Sequence, residues 1–183
     1  MYTNPMDQDI QTILFTEEEL KNRVAQLGQE IARDYAGKHP VCIGVLKGVV
    51  VFFADMIRAI PLPCDIDFMC VSSYHGTQST GTLNIKKDLT MDIEGRDIII
   101  LEDILDTGLT LSYTVSYLLS KNPASVKICT LLDKPARRKS NIIADYVGFS
   151  IDDYFVVGYG LDYDEAYRNL PYVGILKPEV YSK

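Results

Sequence analysis

Ile98-Ile-Ile-Leu-Glu-Asp-Ile-Leu-Asp-Thr-Gly-Leu-Thr-Leu111 begins as four consecutive aliphatic residues and ends as the opening of a helix. A short apolar run without alternation is the pattern of a strand buried on both faces, as in a parallel sheet covered by helices. The run leads into Glu102 and Asp103, then Asp106-Thr-Gly108, and a helical pattern follows over Leu109–Leu119. Several amides near Asp106 to Thr110 then become first-turn donors without an intrahelical partner. With the hydroxyls of Thr107 and Thr110 they form a cradle for a phosphate, and Gly108 keeps a Cβ out of its approach. Carboxylates on such a loop would repel a phosphate unless they point elsewhere. Glu102, Asp103 and Asp106 are therefore expected to face polyol hydroxyls, metal-bound groups or a proton donor. In isolation D-T-G reads as an acidic surface turn capping a helix. The acidic pair, the buried strand and the apolar helix around it favour the phosphate reading.

Outward from this segment the same alternation recurs. Thr16 and Glu19 have capping-box spacing, and Leu20, Val24, Leu27 and Ile31 follow at helical intervals, with Gly37 as a stop. Val41–Leu46 reads as a buried strand ending in Lys47-Gly48, Val49–Ile60 as a packed helix closed by Pro61 and Pro63, and Asp65–Val71 as a further strand. Val126–Leu132, Tyr146–Phe149 and Phe155–Gly158 are later strands. Strands alternating with helices predict an α/β fold, with a mostly parallel sheet flanked by helices. Ligands bind beyond the carboxyl ends of such strands. Lys47-Gly48, the segment after Val71, Glu102-Asp103 and Asp133-Lys134 would then open onto one rim. Ser72-Ser-Tyr-His-Gly-Thr-Gln-Ser-Thr-Gly81 has almost no aliphatic content and is expected to be a mobile loop.

Composition sets the outer limits. The chain has 183 residues, 47% hydrophobic and 23% charged, enough for one domain with a sizeable core. No apolar run reaches membrane-spanning length, and the polar, acidic Met1–Gln11 does not have the pattern of a signal peptide. Cys42, Cys70 and Cys129 lie in apolar runs and are expected as buried thiols; with no CxxC pairing, a cytoplasmic location is expected. The net charge of −7 argues against a nucleic-acid backbone as the main ligand. A small phosphorylated ligand remains compatible if amides, a few lysines and a divalent cation supply local positive charge. No P-loop, GxGxxG or HExxH motif is present, and His39 and His75 are isolated.

Leu101-Glu-Asp-Ile-Leu-Asp-Thr-Gly-Leu-Thr110 closely resembles the phosphoribosyl pyrophosphate signature of the type I phosphoribosyltransferases. Val45-Leu-Lys-Gly48, Ser72-Ser-Tyr74, and Phe155-Val-Val-Gly-Tyr-Gly-Leu-Asp-Tyr163 leading to Arg168-Asn-Leu-Pro-Tyr-Val-Gly174 resemble the hypoxanthine-guanine branch in its bacterial form. The likeness runs in matching order from about residue 10 to 176.

The resemblance implies the type I fold as one domain over residues 1–183, with the terminal segments forming a small hood and a mobile loop at the site. It implies transfer of a ribose phosphate from 5-phosphoribosyl 1-pyrophosphate to a 6-oxopurine, with Mg2+ as cofactor. Asp106 would be the general base at N7 of the purine. Glu102 and Asp103 would hold ribose hydroxyls and magnesium, and Thr107, Gly108, Leu109 and Thr110 the 5′-phosphate. Lys47 and Gly48, in a loop that is cis in relatives, would bind pyrophosphate with Ser73, Tyr74 and Arg168. Lys134 would donate to O6, Phe155 would stack on the purine, Val156 would offer backbone groups to its edge, and Asp162 would lie near the base and a second magnesium. For Phe155 a plain core position, and for Arg168 a surface ion pair, are the alternatives. The implied partners are small-molecule substrates and a second or further copies of the chain, as a homodimer or homotetramer, with neither nucleic acid nor membrane. Two rivals stay open. A transferase for another base should lack Lys134 with Phe155 and Asp162. A non-catalytic regulator should show a basic face, for which Arg137-Arg-Lys139 is the sole cluster and reads as a solvated turn.

Overall fold

The computed structural model describes residues 4–73 and 83–182. Strands β1 (Ile10–Phe15), β2 (Val41–Leu46), β3 (Asp65–Ser73), β4 (Leu83–Lys87), β5 (Asp97–Leu105), β6 (Ser125–Asp133), β7 (Tyr146–Ser150), β8 (Val156–Val157) and β9 (Val173–Leu176) are joined by four helices. These are α1 (Glu17–Asp34), α2 (Val50–Ala59), α3 (Leu109–Leu119) and α4 (Pro178–Tyr181). Six strands form the main sheet in the order β4-β3-β2-β5-β6-β7, parallel throughout except for β4, which runs antiparallel along β3 at the edge.

The apolar strands are covered on both faces, as their lack of alternation requires. Ile99 and Leu101 of β5 pack with Leu20, Leu27 and Ile31 of α1 and Phe52 and Met56 of α2. Ile98 and Ile100 point the other way, toward Leu111 and Leu118 of α3 and Ile93. Helix α1 starts at the capping box, with Thr16 accepting from the Glu19 amide and Glu19 accepting from that of Thr16.

Three strands escape the sequence reading. One is the edge strand β4. The other two, β1 and β9, pair antiparallel and join β8 in a second, three-stranded sheet made from the two ends of the chain. Val157, Tyr167, Leu170 and Leu176 form its small core. Strand β3 runs two residues further than expected, so Ser72 and Ser73 belong to it rather than to a loop. The rest of the loop expected over 72–81 lies outside the described residues. Cys42 and Cys129 are buried as expected, but Cys70 is only half-buried, and all four cysteines are free thiols. Among the described residues no helix is long and apolar enough to cross a membrane.

Candidate active site

From β2 the chain first builds outward to β3, then returns to place β5 on the other side of β2. Strand order therefore reverses between β2 and β5, and the loops leaving them diverge around a crevice. That crevice has a volume of 240 Å³, and Lys47, Gly48, Glu102, Asp103, Asp106, Thr107, Gly108 and Thr110 all line it. A larger cavity of 710 Å³ lies between α1, α2 and the 159–171 segment. It holds neither the acidic pair nor the helix start, so the smaller crevice is the chemical candidate.

The acidic pair sits inside β5, not in the turn after it. Pairing of β2 with β5 ends at Gly44 and Leu101, while β5 stays paired with β6 as far as Leu105 and Asp133. Glu102 and Asp103 thus occupy an overhang with one edge free of β2. One oxygen of Glu102, Oε2, is buried without a hydrogen bond. Burial, and then the neighbouring Asp103 charge, push the Glu102 carboxyl well above the usual range. Burial likewise raises Asp103, to about 6, against the lowering effect of backbone amides and Arg168. Two half-buried carboxylates driven toward protonation, one with an orphan oxygen, suit a hard divalent cation that takes its other ligands from substrate and water. Among the described residues no three His, Cys, Asp or Glu side chains cluster as a complete metal site.

Two glycines bring the neighbouring segments into contact with this pair. A Cβ on Gly48 would lie 1.8 Å from Oδ2 of Asp103, and a Cβ on Gly160 would lie 2.0 Å from the Gly48 carbonyl oxygen. The Leu46–Lys47 peptide that enters this contact is cis. Gly160 went unnoticed in the sequence, where only its place between Tyr159 and Leu161 could have marked it.

At the start of α3, Gly108 is the N-cap in the left-handed region (φ 76°) and offers no side-chain cap, so the first-turn amides after Leu109 are left without a capping partner. The role expected for this glycine needs correction. Its missing Cβ would meet Ser140 Oγ at 2.4 Å and Ile142 Cγ2 at 2.6 Å. The protein's own packing and backbone demand glycine here, whatever the ligand. The Leu109 amide lies 3.4 Å from Thr107 Oγ1, a long contact, and Thr110 is exposed. Asp106 Oδ1 is buried without a hydrogen bond; Arg137 Nε stands 3.3 Å away, out of line for one.

Arg138 is the main residue that sequence reasoning missed. Instead of a solvated turn, it donates to the carbonyls of Asp106 (3.1 Å), Leu105 (3.3 Å) and Ile142 (3.2 Å) and pairs with Asp133. The backbone of the D-T-G loop rests on this guanidinium, and the Lys139 amide adds a bond to Thr107 O.

On the other side of Asp106, the Lys134 amide donates to Leu105 O. The Lys134 side chain is buried, with Nζ 2.6 Å from Tyr154 O and 3.4 Å from Asp153. This brings it beside Phe155 and Val156. Phe155 is 38% exposed rather than core. One face of its ring is stacked on Tyr181 at 4.6 Å, and Tyr163 meets it edge-on. Val156 is buried in β8.

Asp162 presents no free oxygen: Oδ1 pairs with Arg168 at 2.9 Å and Oδ2 accepts from the Glu165 amide. Arg168 also donates to Gly160 O and approaches Glu165, while its Nε is buried without a partner. It is therefore an ion-pair partner that lines the larger cavity and abuts Gly48, with Nη1 3.5 Å from where a Gly48 Cβ would stand, rather than a wall of the smaller crevice. Lys47 Nζ reaches Glu165 Oε1 at 3.0 Å. Ser73 ends β3 on the same rim; Tyr74 lies outside the described residues.

Comparison with known proteins agrees with this geometry. The family model for the phosphoribosyl transferase domain matches residues 11–164. The chain is 54% identical to the hypoxanthine-guanine phosphoribosyltransferase of Staphylococcus aureus strain Mu50, covering 97% of this chain and 99% of that one. It is 51% identical to the bifunctional protein TilS/HprT of Listeria monocytogenes over 97% of its own length, but spans 28% of that longer protein. A crystal structure of a hypoxanthine phosphoribosyltransferase from Staphylococcus aureus superposes with a TM-score of 0.96 at 53% identity, over 100% of both chains. A hypoxanthine-guanine phosphoribosyltransferase from Bacillus anthracis superposes at 0.88 and 46% identity, over 92% of this chain and 99% of that one. The chain belongs to the phosphoribosyl transferase domain family, in its hypoxanthine-guanine phosphoribosyltransferase branch.

Proposed function

We propose that the chain transfers the 5-phosphoribosyl group from 5-phosphoribosyl 1-pyrophosphate to N9 of hypoxanthine or guanine, giving IMP or GMP and pyrophosphate. The observation that carries this reading is the crevice itself. A helix start without a side-chain cap, a half-buried acidic pair and the Lys47-Gly48 loop meet within one 240 Å³ space, with Lys134 and Phe155 beyond Asp106.

In this reading the amides and hydroxyls of Thr107–Thr110 hold the 5′-phosphate at the start of α3. Glu102 and Asp103 face the ribose, where positive charge grows as the pyrophosphate departs, so they stabilise the transition state more than the ground state. Magnesium bound by this pair would screen the charge of the leaving pyrophosphate. Asp162 joins it only by giving up Arg168 or the Glu165 amide. Lys47, Gly48 and Arg168 receive the pyrophosphate; Ser73 and Tyr74 belong to this set on the family resemblance alone. Asp106, whose Oδ1 is free of hydrogen bonds, takes the N7 proton as N9 attacks. Lys134 exchanges the Tyr154 carbonyl for O6 of the base, Val156 meets the base edge, and the purine takes the face of Phe155 opposite Tyr181.

The small sheet of β1, β9 and β8 serves as a hood on the base side. The four free thiols fit work in a reducing cytoplasm. A homodimer or homotetramer is the assembly that goes with this reading. Its support is the family resemblance alone.

Initial rates with hypoxanthine, guanine, xanthine, adenine and orotate, each with donor and magnesium, test the assignment. The 6-oxopurines should react and adenine should not. Orotate as the sole substrate would overturn it.

A further inference from the structure

The hairpin that carries Asp162 and Arg168 has an unusual turn. Tyr163 and Ala166 exchange both backbone hydrogen bonds (3.2 and 3.0 Å), leaving Asp164 and Glu165 as a two-residue loop. Both are left-handed, with φ of 50° and 64°. That geometry is the type I′ turn, for which Asn-Gly or Asp-Gly is the low-strain choice. A glutamate at the second position bears a Cβ where glycine would relax the chain. Backbone strain accepted at a non-glycine residue beside a ligand site points to use of the side chain it presents.

The Glu165 carboxylate shows what that use is. Oε1 lies 3.0 Å from Lys47 Nζ, and Oε2 lies 3.4 Å from Arg168 Nη2. A single carboxylate thus bridges Lys47, which lines the crevice, and Arg168, which abuts Gly48 beside it. Its own amide is fixed to Asp162 Oδ2 at 2.9 Å, so the turn is anchored, while the carboxylate is exposed and held only by its two ion pairs. A diphosphate arriving at Lys47 and Arg168 meets an anion already in place.

We propose that Glu165 is an internal stand-in for pyrophosphate: it neutralises Lys47 and Arg168 in the empty crevice and is displaced when the donor's diphosphate binds. It is a specificity-determining residue for the donor, and it speeds product release by competing for the same cations. The inference rests on the transferase reading of the crevice, but it makes a signed claim that the reading does not. A residue that merely holds Lys47 and Arg168 in position would weaken diphosphate binding when removed. A stand-in anion would strengthen it.

The test uses the intact protein with Glu165→Gln, which keeps size and turn while removing charge, and Glu165→Gly, which also relieves the left-handed strain. Binding of inorganic pyrophosphate with magnesium is measured by calorimetry, alongside donor KM and kcat with hypoxanthine. For Glu165→Gln the expected result is tighter pyrophosphate and a lower donor KM, each by about two- to tenfold, as fits loss of competition at exposed ion pairs. The kcat should be unchanged or lower through slower release. Glu165→Gly should show the same tightening together with a Tm raised by about 2–4 °C. Unchanged or weaker pyrophosphate binding in Glu165→Gln, while the parent binds it and makes nucleotide, overturns the stand-in role and leaves the transferase reading intact. A parent that makes no nucleotide yet binds pyrophosphate more weakly than Glu165→Gln supports the stand-in and sinks the transferase reading. Absence of pyrophosphate binding in both the parent and Glu165→Gln overturns the stand-in role, and the nucleotide assay then decides the transferase reading by itself.

Discussion

Adjacent arginines give the sharpest prediction about how the phosphate loop is held. Arg138 makes three bonds to main-chain carbonyls and an ion pair with Asp133, with its side chain 16% exposed; Arg137 is 49% exposed and lies beside Asp106 and Asp153. Truncating Arg138 to Ala removes the donor to the carbonyls of Asp106 and Ile142, leaves Leu105 O with the Lys134 amide alone, and deprives Asp133 of its counter-charge. Each charged hydrogen bond is worth about 1.5–3 kcal/mol, and breaking a buried pair about 3–5 kcal/mol, but these values overlap and water refills part of the gap. About 3 kcal/mol is a fair total, which at about 2–4 °C per kcal/mol for a chain of this size lowers Tm by about 6–12 °C. Arg137→Ala should stay within about 0.5 kcal/mol, or roughly 1–2 °C. Circular dichroism melts of both variants read the difference. Arg138→Lys should recover only part, since an ammonium cannot reach three carbonyls and a carboxylate at once. Equal melting of the two alanine variants would refute the claim that the loop rests on Arg138.

Other expectations follow from the crevice. Asp106→Asn should keep the fold and donor binding but lose about 10²–10⁴-fold in kcat, because an amide cannot accept the N7 proton; a wild-type kcat would remove that role. Alanine at Glu102 and Asp103 together should raise the magnesium and donor concentrations needed for half-maximal rate; an unchanged magnesium titration takes the pair out of the site. Asp103 has a folded pKa raised to about 6 from the usual 3.8, so the folded state binds the extra proton between these values. Its contribution to stability therefore falls as pH rises from about 4 to 6, while affinity for the cation grows. The difference in Tm between wild type and Asp103→Asn, followed against pH, should show this slope; a flat difference would contradict it. Lys134→Ala should cost 6-oxopurines about 1.5–3 kcal/mol of binding, and an equal loss for bases lacking O6 would make it structural.

What could be read from the chain depended on how local each feature is. Strands β2 and β5 announce themselves because burial on both faces leaves an unbroken apolar run, and α3 was bounded at Leu109 and Leu119 as observed. Strands β1 and β9 did not, since they pair with each other across more than 150 residues and β1 shows no clean burial alternation. The site was legible where adjacent residues carry it, as in Asp106-Thr-Gly108. It was hidden where the contact is remote. Arg138 looks like part of a solvated basic run until its partners, 32 and 33 residues upstream, are in place. Gly160 looks ordinary until the Gly48 carbonyl stands where its Cβ would be. Gly108 was read as making room for a ligand, when Ser140 and Ile142 already fill that room.

The account stands on one reaction at one crevice, and a phosphorus NMR time course of the donor with hypoxanthine and magnesium reads it directly. The donor's three phosphorus signals should give way to one nucleotide 5′-phosphate and one inorganic pyrophosphate in equal amounts. The conversion should stop when base or magnesium is left out, and slow by about 10²–10⁴-fold in Asp106→Asn. Pyrophosphate released without nucleotide, or nucleotide formed equally well by Asp106→Asn, would contradict the central claim.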